Sequence, residues 1–218
     1  MSKPSVRRLV LLRHGQTDWN ADDRMQGQLE TELTDLGRTQ AKEAARELAP
    51  RRPLVLISSD LHRAFDTASV VGEHAGVAPT VDFRLRETHL GDWQGLTHTD
   101  VDSGYPGARV AWRRDATMSP PGGESRVDVA RRSRPVVDEL FESIADGWLD
   151  APVMLVAHGG LIAALTASLL DLPIDRWPIL GGLGNASWVE LAAHGDGADL
   201  RWRLDVWNAS AKVASDVL

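Results

Sequence analysis

Two histidines stand in the same setting at opposite ends of this sequence. Leu9-Val10-Leu11-Leu12 runs into Arg13-His14-Gly15, and Pro152–Ala157 runs into His158-Gly159-Gly160. A single imidazole at the end of an apolar run reads as a structural residue. Two in matching positions, with cationic and acidic residues supplied from between them, describe a reaction centre. An unprotonated imidazole can attack phosphorus as a nucleophile. Arg13 and Arg63 offer planar forks matched to phosphate oxygens. Glu87 follows a short apolar segment and sits among Arg84, Arg86 and His89. It reads either as half of a surface ion pair or as a carboxylic acid that protonates a leaving oxygen and then activates water. Arg63 alone reads as a solvated charge. Arg13, His14, Asn20, Arg63, Glu87 and His158 taken together describe phosphoryl transfer without a metal.

These residues need a scaffold that brings distant parts of the chain to one crevice. The run Leu9–Leu12 is apolar throughout, as in a strand buried on both faces of a sheet. Leu54–Ser58, Thr80–Phe83 and Pro152–Ala157 read as further strands. Thr34 is placed to cap a helix that Pro50 and Pro53 end, and Asp60 to cap a helix from Leu61 to His74, with Gly76 as its stop. Asp128–Asp146 has a helical pattern that Pro135 should bend or break, and Leu161–Leu170 a second. Ser187–Leu191 and Leu200–Val206 read as a closing antiparallel pair. Strands alternating with helices predict an α/β fold whose ligands bind beyond the carboxyl ends of the strands. Both His-Gly pairs fall there. Thr17–Glu32 reads as a polar loop. Thr97–Ser125, rich in Gly, Pro, Asp and Arg, reads as a lid-like excursion over the site.

Composition sets bounds. The chain has 218 residues, net charge −7 and no cysteine, which fits one α/β domain over 1–218. The acidic balance argues against broad nucleic-acid binding. The lack of cysteine removes disulfides, thiolate metal sites and Cys nucleophiles. Neither an apolar leader nor a run of roughly 20 apolar residues is present, so a cytoplasmic protein without a membrane partner is expected. Trp177, Trp188, Trp202 and Trp207 read as core or subunit-contact residues.

Five motifs in this order resemble the histidine phosphatase (phosphoglycerate-mutase-like) superfamily: Leu12-Arg13-His14-Gly15-Gln16-Thr17 with Trp19-Asn20; Ser58-Ser59-Asp60-Leu61-His62-Arg63-Ala64 with Thr67-Ala68; Leu85-Arg86-Glu87; Gly122-Gly123-Glu124-Ser125; and Ala157-His158-Gly159-Gly160. Met25–Gln28, Arg84–Thr97 and Arg201–Ser210 extend the likeness to the actinobacterial phosphatases of glucosyl-3-phosphoglycerate. The resemblance implies a three-layer α/β/α sandwich with a mainly parallel sheet. It also implies a small phosphorylated substrate and a homodimer. No cofactor and no metal are expected, since no His-Glu-x-x-His pattern occurs and the seven histidines are scattered. By the same resemblance His14 becomes phosphorylated and Glu87 is the proton donor. Arg13, Arg63 and His158 surround the phosphoryl group, joined by Asn20. Gln26, Gly27, Thr17 and Gly159 lie on the substrate and phosphate side. The implied reaction is hydrolysis of glucosyl-3-phosphoglycerate to glucosylglycerate, on the route to methylglucose lipopolysaccharides. A broad phosphosugar phosphatase, a phosphoglycerate mutase and a silent phospho-ligand binding module stay open. The chemistry further requires the second nitrogen of His14 to donate, with a backbone carbonyl as the expected acceptor.

Overall fold

The computed structural model describes residues 6–144, 147–149, 151–195 and 197–211. Six strands form one sheet: β1 (Val6–Arg13), β2 (Val55–Ser58), β3 (Thr80–Val81), β4 (Val153–Ala157), β5 (Trp188–His194) and β6 (Arg201–Ala209). Among the described residues seven α-helices accompany them: α1 (Asp18–Ala21), α2 (Asp35–Leu48), α3 (His62–Ala75), α4 (His98–Gly104), α5 (Ala108–Arg114), α6 (Arg126–Ser143) and α7 (Gly159–Leu169). The spatial order is β3-β2-β4-β1-β5-β6. β3, β2, β4 and β1 run parallel, and β5 and β6 return antiparallel. The predicted α/β/α sandwich and mainly parallel sheet are therefore present.

β4 and the Leu9–Leu12 run of β1 are apolar throughout because both faces are covered. On one face Leu9, Leu11 and Leu155 pack with Val129 and Val137 of α6 and Leu161 and Leu165 of α7. On the other, Val10, Leu12 and Met154 meet Ala44 and Leu48 of α2 and Ala64 and Ala68 of α3. Trp177 and Trp188 are buried, in keeping with a core role. A third cluster gathers Met25, Leu90, Trp93 and Val101, with Tyr105, Ala108 and Trp112 packed against it. It gives the 97–125 excursion its own small core.

Several local expectations are corrected. Asp60 does not cap α3: Leu61 occupies the N-cap and no side chain caps it. The Asp60 carboxylate instead takes a two-pronged bond from Arg86 at 2.8 and 2.6 Å, so a cation from the segment after β3 wins over the local amide. β3 ends at Val81, because Asp82 accepts the Arg84 N–H and turns Phe83–Leu85 into a 3₁₀ segment. Pro135 sits inside α6 without ending it. The helix starts earlier than expected, on a reciprocal capping box between Ser125 and Asp128. Thr17–Glu32 is not all loop: a similar box between Thr17 and Asn20 starts α1.

Candidate active site

Sheet register builds the centre. β1 and β4 are adjacent and parallel, with Arg13 opposite Ala157. The next residue on each strand is the histidine, and the two rings lie 5.2 Å apart, tilted by 59°. Both are buried. Nδ1 of His14 lies 2.7 Å from the Gly15 carbonyl oxygen. A carbonyl only accepts, so Nδ1 carries the proton and Nε2 presents a lone pair. This is the arrangement the sequence required. Gly15 N–H donates to Thr67 Oγ1 at 3.1 Å, and that hydroxyl donates to the Arg63 carbonyl. A side chain at Gly15 would run into the backbone of Gly37 at the start of α2. The nucleophile's own turn is thus clamped between α2 and α3.

His158 is held differently. Its Nε2 lies 2.9 Å from Ser59 Oγ, while Nδ1 is buried with no partner among the described residues. Ser59 follows β2, the other neighbour of β4, and so stands level with the ring. Desolvation first, then the charges of Arg63 and Arg13, hold His14 well below the usual imidazole range. His158 is lowered for the same first cause, followed by Arg63, His14 and Arg13. Both rings are neutral at pH 7 in the unliganded site.

The two arginines are not surface charges. Arg63 is completely buried in the first turn of α3. Its Nη2 donates to the Gly27 carbonyl at 2.7 Å and its Nη1 to Leu29 at 2.9 Å. Burial, the largest cause, pulls its pKa down to about 10, so it stays charged at neutral pH. Arg13 donates through Nη1 to the Leu183 carbonyl. The Nε of each guanidinium is buried without a partner among the described residues. Two such N–H donors beside two imidazoles form a site for an anion.

Glu87 is held at the start of α7. Its oxygens accept N–H bonds from Gly160 and Leu161, each at 3.0 Å, and from Thr88 at 2.7 Å. The free amides of a helix N-terminus are here satisfied by a carboxylate from another segment. A Cβ at Gly160 would fall 2.6 Å from Glu87 Oε1, so glycine is what lets the carboxylate reach the amides. Glu87 is therefore no surface ion pair, and one of the amides that hold it, that of Gly160, lies two residues after His158.

The remaining predicted residues lie around this centre. Asn20 Oδ1 accepts from Thr17 and from Asn185 Nδ2 at 3.0 Å. Thr17 is fully buried with its hydroxyl inside the α1 capping box. Gln26 is buried and accepts from Thr31 at 2.7 Å. Gly27 offers its carbonyl to Arg63, and Gly159 packs beside Arg13.

Sequence reasoning assigned no role to Ser59, Thr67, Asn185 or the Glu124–Arg132 pair. Arg132 of α6 forks onto Glu124 and donates to the Glu87 carbonyl at 2.8 Å, while Glu124 also accepts the His89 N–H. Ser59 and Glu124 lie inside motifs that the sequence does display. Only their contacts, made across strands and layers, reveal what they do.

The model of the histidine phosphatase superfamily (branch 1) matches residues 9–209. A glucosyl-3-phosphoglycerate phosphatase of Mycolicibacterium vanbaalenii is 64% identical over 224 residues, covering 98% of this chain and 99% of the relative. The solved structure of a mycobacterial glucosyl-3-phosphoglycerate phosphatase with VO3 superposes with a TM-score of 0.91 at 64% identity, covering 94% of this chain and 100% of the other. The complex of a mycobacterial glucosyl-3-phosphoglycerate phosphatase with inorganic phosphate gives a TM-score of 0.89 at 63% identity, covering 95% and 100%.

Proposed function

This chain belongs to the histidine phosphatase superfamily, and from that membership we propose that it hydrolyses glucosyl-3-phosphoglycerate to glucosylglycerate and phosphate through a phosphohistidine at His14. The observation that carries the chemistry is the fixed tautomer of His14: Nδ1–H is bound to Gly15, so Nε2 faces its buried partners as a nucleophile. Identity of 63–64% over nearly the whole chain to phosphatases of that substrate supports the substrate.

In the first half-reaction His14 Nε2 forms a bond to phosphorus as the ester P–O bond breaks. Glu87 gives its proton to the departing glycerate oxygen. In the second, water attacks phosphorus, Glu87 takes a proton from it, and the P–N bond breaks to release phosphate. Arg13 and Arg63 oppose the charge on the equatorial oxygens, so positioning and charge stabilisation carry most of the rate. An arriving phosphate dianion favours the protonated form of His158, which then becomes a further donor. Asn20, Gln26, Gly27 and Gly159 line the approach. In this reading the segment 97–125 is the lid over that approach; its packing onto the cluster around Trp93 supports a fixed placement.

Within the same reading the protein is a homodimer acting on the route to methylglucose lipopolysaccharides, as the sequence resemblance implies, and is cytoplasmic, as expected from the sequence. Among the described residues, no helix is long and apolar enough to cross a membrane. The test is a phosphate-release screen of glucosyl-3-phosphoglycerate, mannosyl-3-phosphoglycerate and simple sugar phosphates, with rapid quenching to trap labelled enzyme. A marked preference for the first and an acid-labile label on His14 are expected. A flat preference removes the substrate, and turnover without label removes the covalent route.

A further inference from the structure

We propose that Arg126 is the residue that recognises the carboxylate of the substrate's leaving group. This inference rests on the substrate reading above.

Most cations around the site are matched by acids. Arg86 is forked by Asp60, Arg84 by Asp82 and Glu139, Arg109 by Asp102, and Arg132 by Glu124. Arg126 differs. It is half-buried on the first residue of α6, and among the described residues no hydrogen bond or ion pair engages its guanidinium. Its partner is the face of Trp112, 5.6 Å from the guanidinium carbon to the ring centroid. That contact leaves the N–H donors of the fork unspent.

The backbone places this end of α6 beside the segment that carries Glu87. Glu124 N–H bonds the His89 carbonyl, and Val127 N–H bonds the Ala116 carbonyl, so the start of α6 is tied to the Glu87–Gly91 segment and to the excursion. Trp112 is itself locked edge-on to Trp93. Burial and the like charge of Arg113 weaken the hold of Arg126 on its proton, while Glu87 strengthens it. An uncompensated, partly desolvated cation is costly, and one kept beside a reaction centre points to an anionic ligand. The phosphoryl group already has Arg13 and Arg63. Beyond the oxygen that Glu87 protonates come the three carbons of the glycerate, and the last of them is a carboxylate. It is the second negative group of the substrate, and a planar fork suits it.

The experiment uses the full chain with p-nitrophenyl phosphate as reporter and two competitors, glucosylglycerate and glucosylglycerol, which differ in carboxylate against CH₂OH. The parent should bind the carboxylate competitor more tightly. Arg126→Ala should lower that preference by about 10- to 100-fold, and Arg126→Lys should restore part of it. An equal loss for both competitors, or a parent without preference, overturns the assignment. Preference lost in Arg126→Ala while glucosyl-3-phosphoglycerate proves a poor substrate keeps the carboxylate site and removes only the substrate reading.

Discussion

Two strands of this sheet end in the same His-Gly signature, yet they present different imidazoles. The turn after His14 is pinned from outside by Thr67 and by the close backbone of Gly37, and the ring is tied to its own next residue. The turn after His158 becomes helix α7 at once, and its amides are given to Glu87. One ring has its proton fixed by a carbonyl. The other faces a hydroxyl, which can donate or accept, and so can change its protonation state without breaking its contact. A nucleophile needs a fixed lone pair, whereas a group that answers an incoming charge needs freedom to titrate. Like motifs thus acquire unlike roles from their second neighbours.

The comparison breaks most sharply at His14. His14→Ala should lose at least about 10⁴-fold in turnover and all trapped phosphoenzyme, since no other buried imidazole offers a fixed lone pair there. Retained label at another residue would mean that His158 can substitute, and the asymmetry would fall. His158→Ala should cost about 10²–10³ in turnover, the usual effect of removing one preorganised donor. It should still form phospho-His14, slowly, under rapid quench. Complete loss of label would make the second ring part of the nucleophile rather than of the cradle.

The asymmetry explains what the sequence could and could not reveal. The two apolar strands that run into the His-Gly pairs and the α/β alternation are local patterns, and they stand as read, whereas the bounds of β3, β5 and β6 shift from those expected. The buried state of Arg63 is not local, because it depends on the carbonyls of Gly27 and Leu29 folding back across α3. Asp60 misled for the same reason: its sequence position suggests a cap, but Arg86 competes from another segment. Ser59, Arg132 and Asn185 act across strands or layers, where spacing carries no signal. Pro135 does not break the helix: α6 runs through it and buries Val136, Val137 and Leu140 against the sheet.

A smaller effect tests the hydroxyl that sets the second ring apart. Ser59→Ala removes the partner of His158 Nε2 and leaves a buried polar atom unpaired. A loss of about 3- to 10-fold in kcat/KM is expected, with Ser59→Thr close to the parent. A Ser59→Ala enzyme with parental kinetics would mean that sheet packing alone holds the ring.

The smallest effect is thermodynamic. Both histidines are held below 6.5 in the folded protein by burial and by Arg63, whereas the unfolded chain titrates near its ordinary value. Between those values the unfolded state binds more protons than the folded one. Stability from these two sites is therefore fully present above about pH 6.5 and is lost as pH falls toward the folded values. The melting temperature should drop by a few degrees more in the parent than in His158→Gln between pH 7 and pH 5, about 2–4 °C per kcal/mol for a chain of this size. Inorganic phosphate should shrink that difference, because a bound anion favours protonated His158. His14 has its proton committed to Gly15, so His14→Gln should leave the phosphate effect in place. If phosphate acts alike on both variants, the two rings respond as one coupled pair, and the division of labour between fixed nucleophile and titrating partner does not hold.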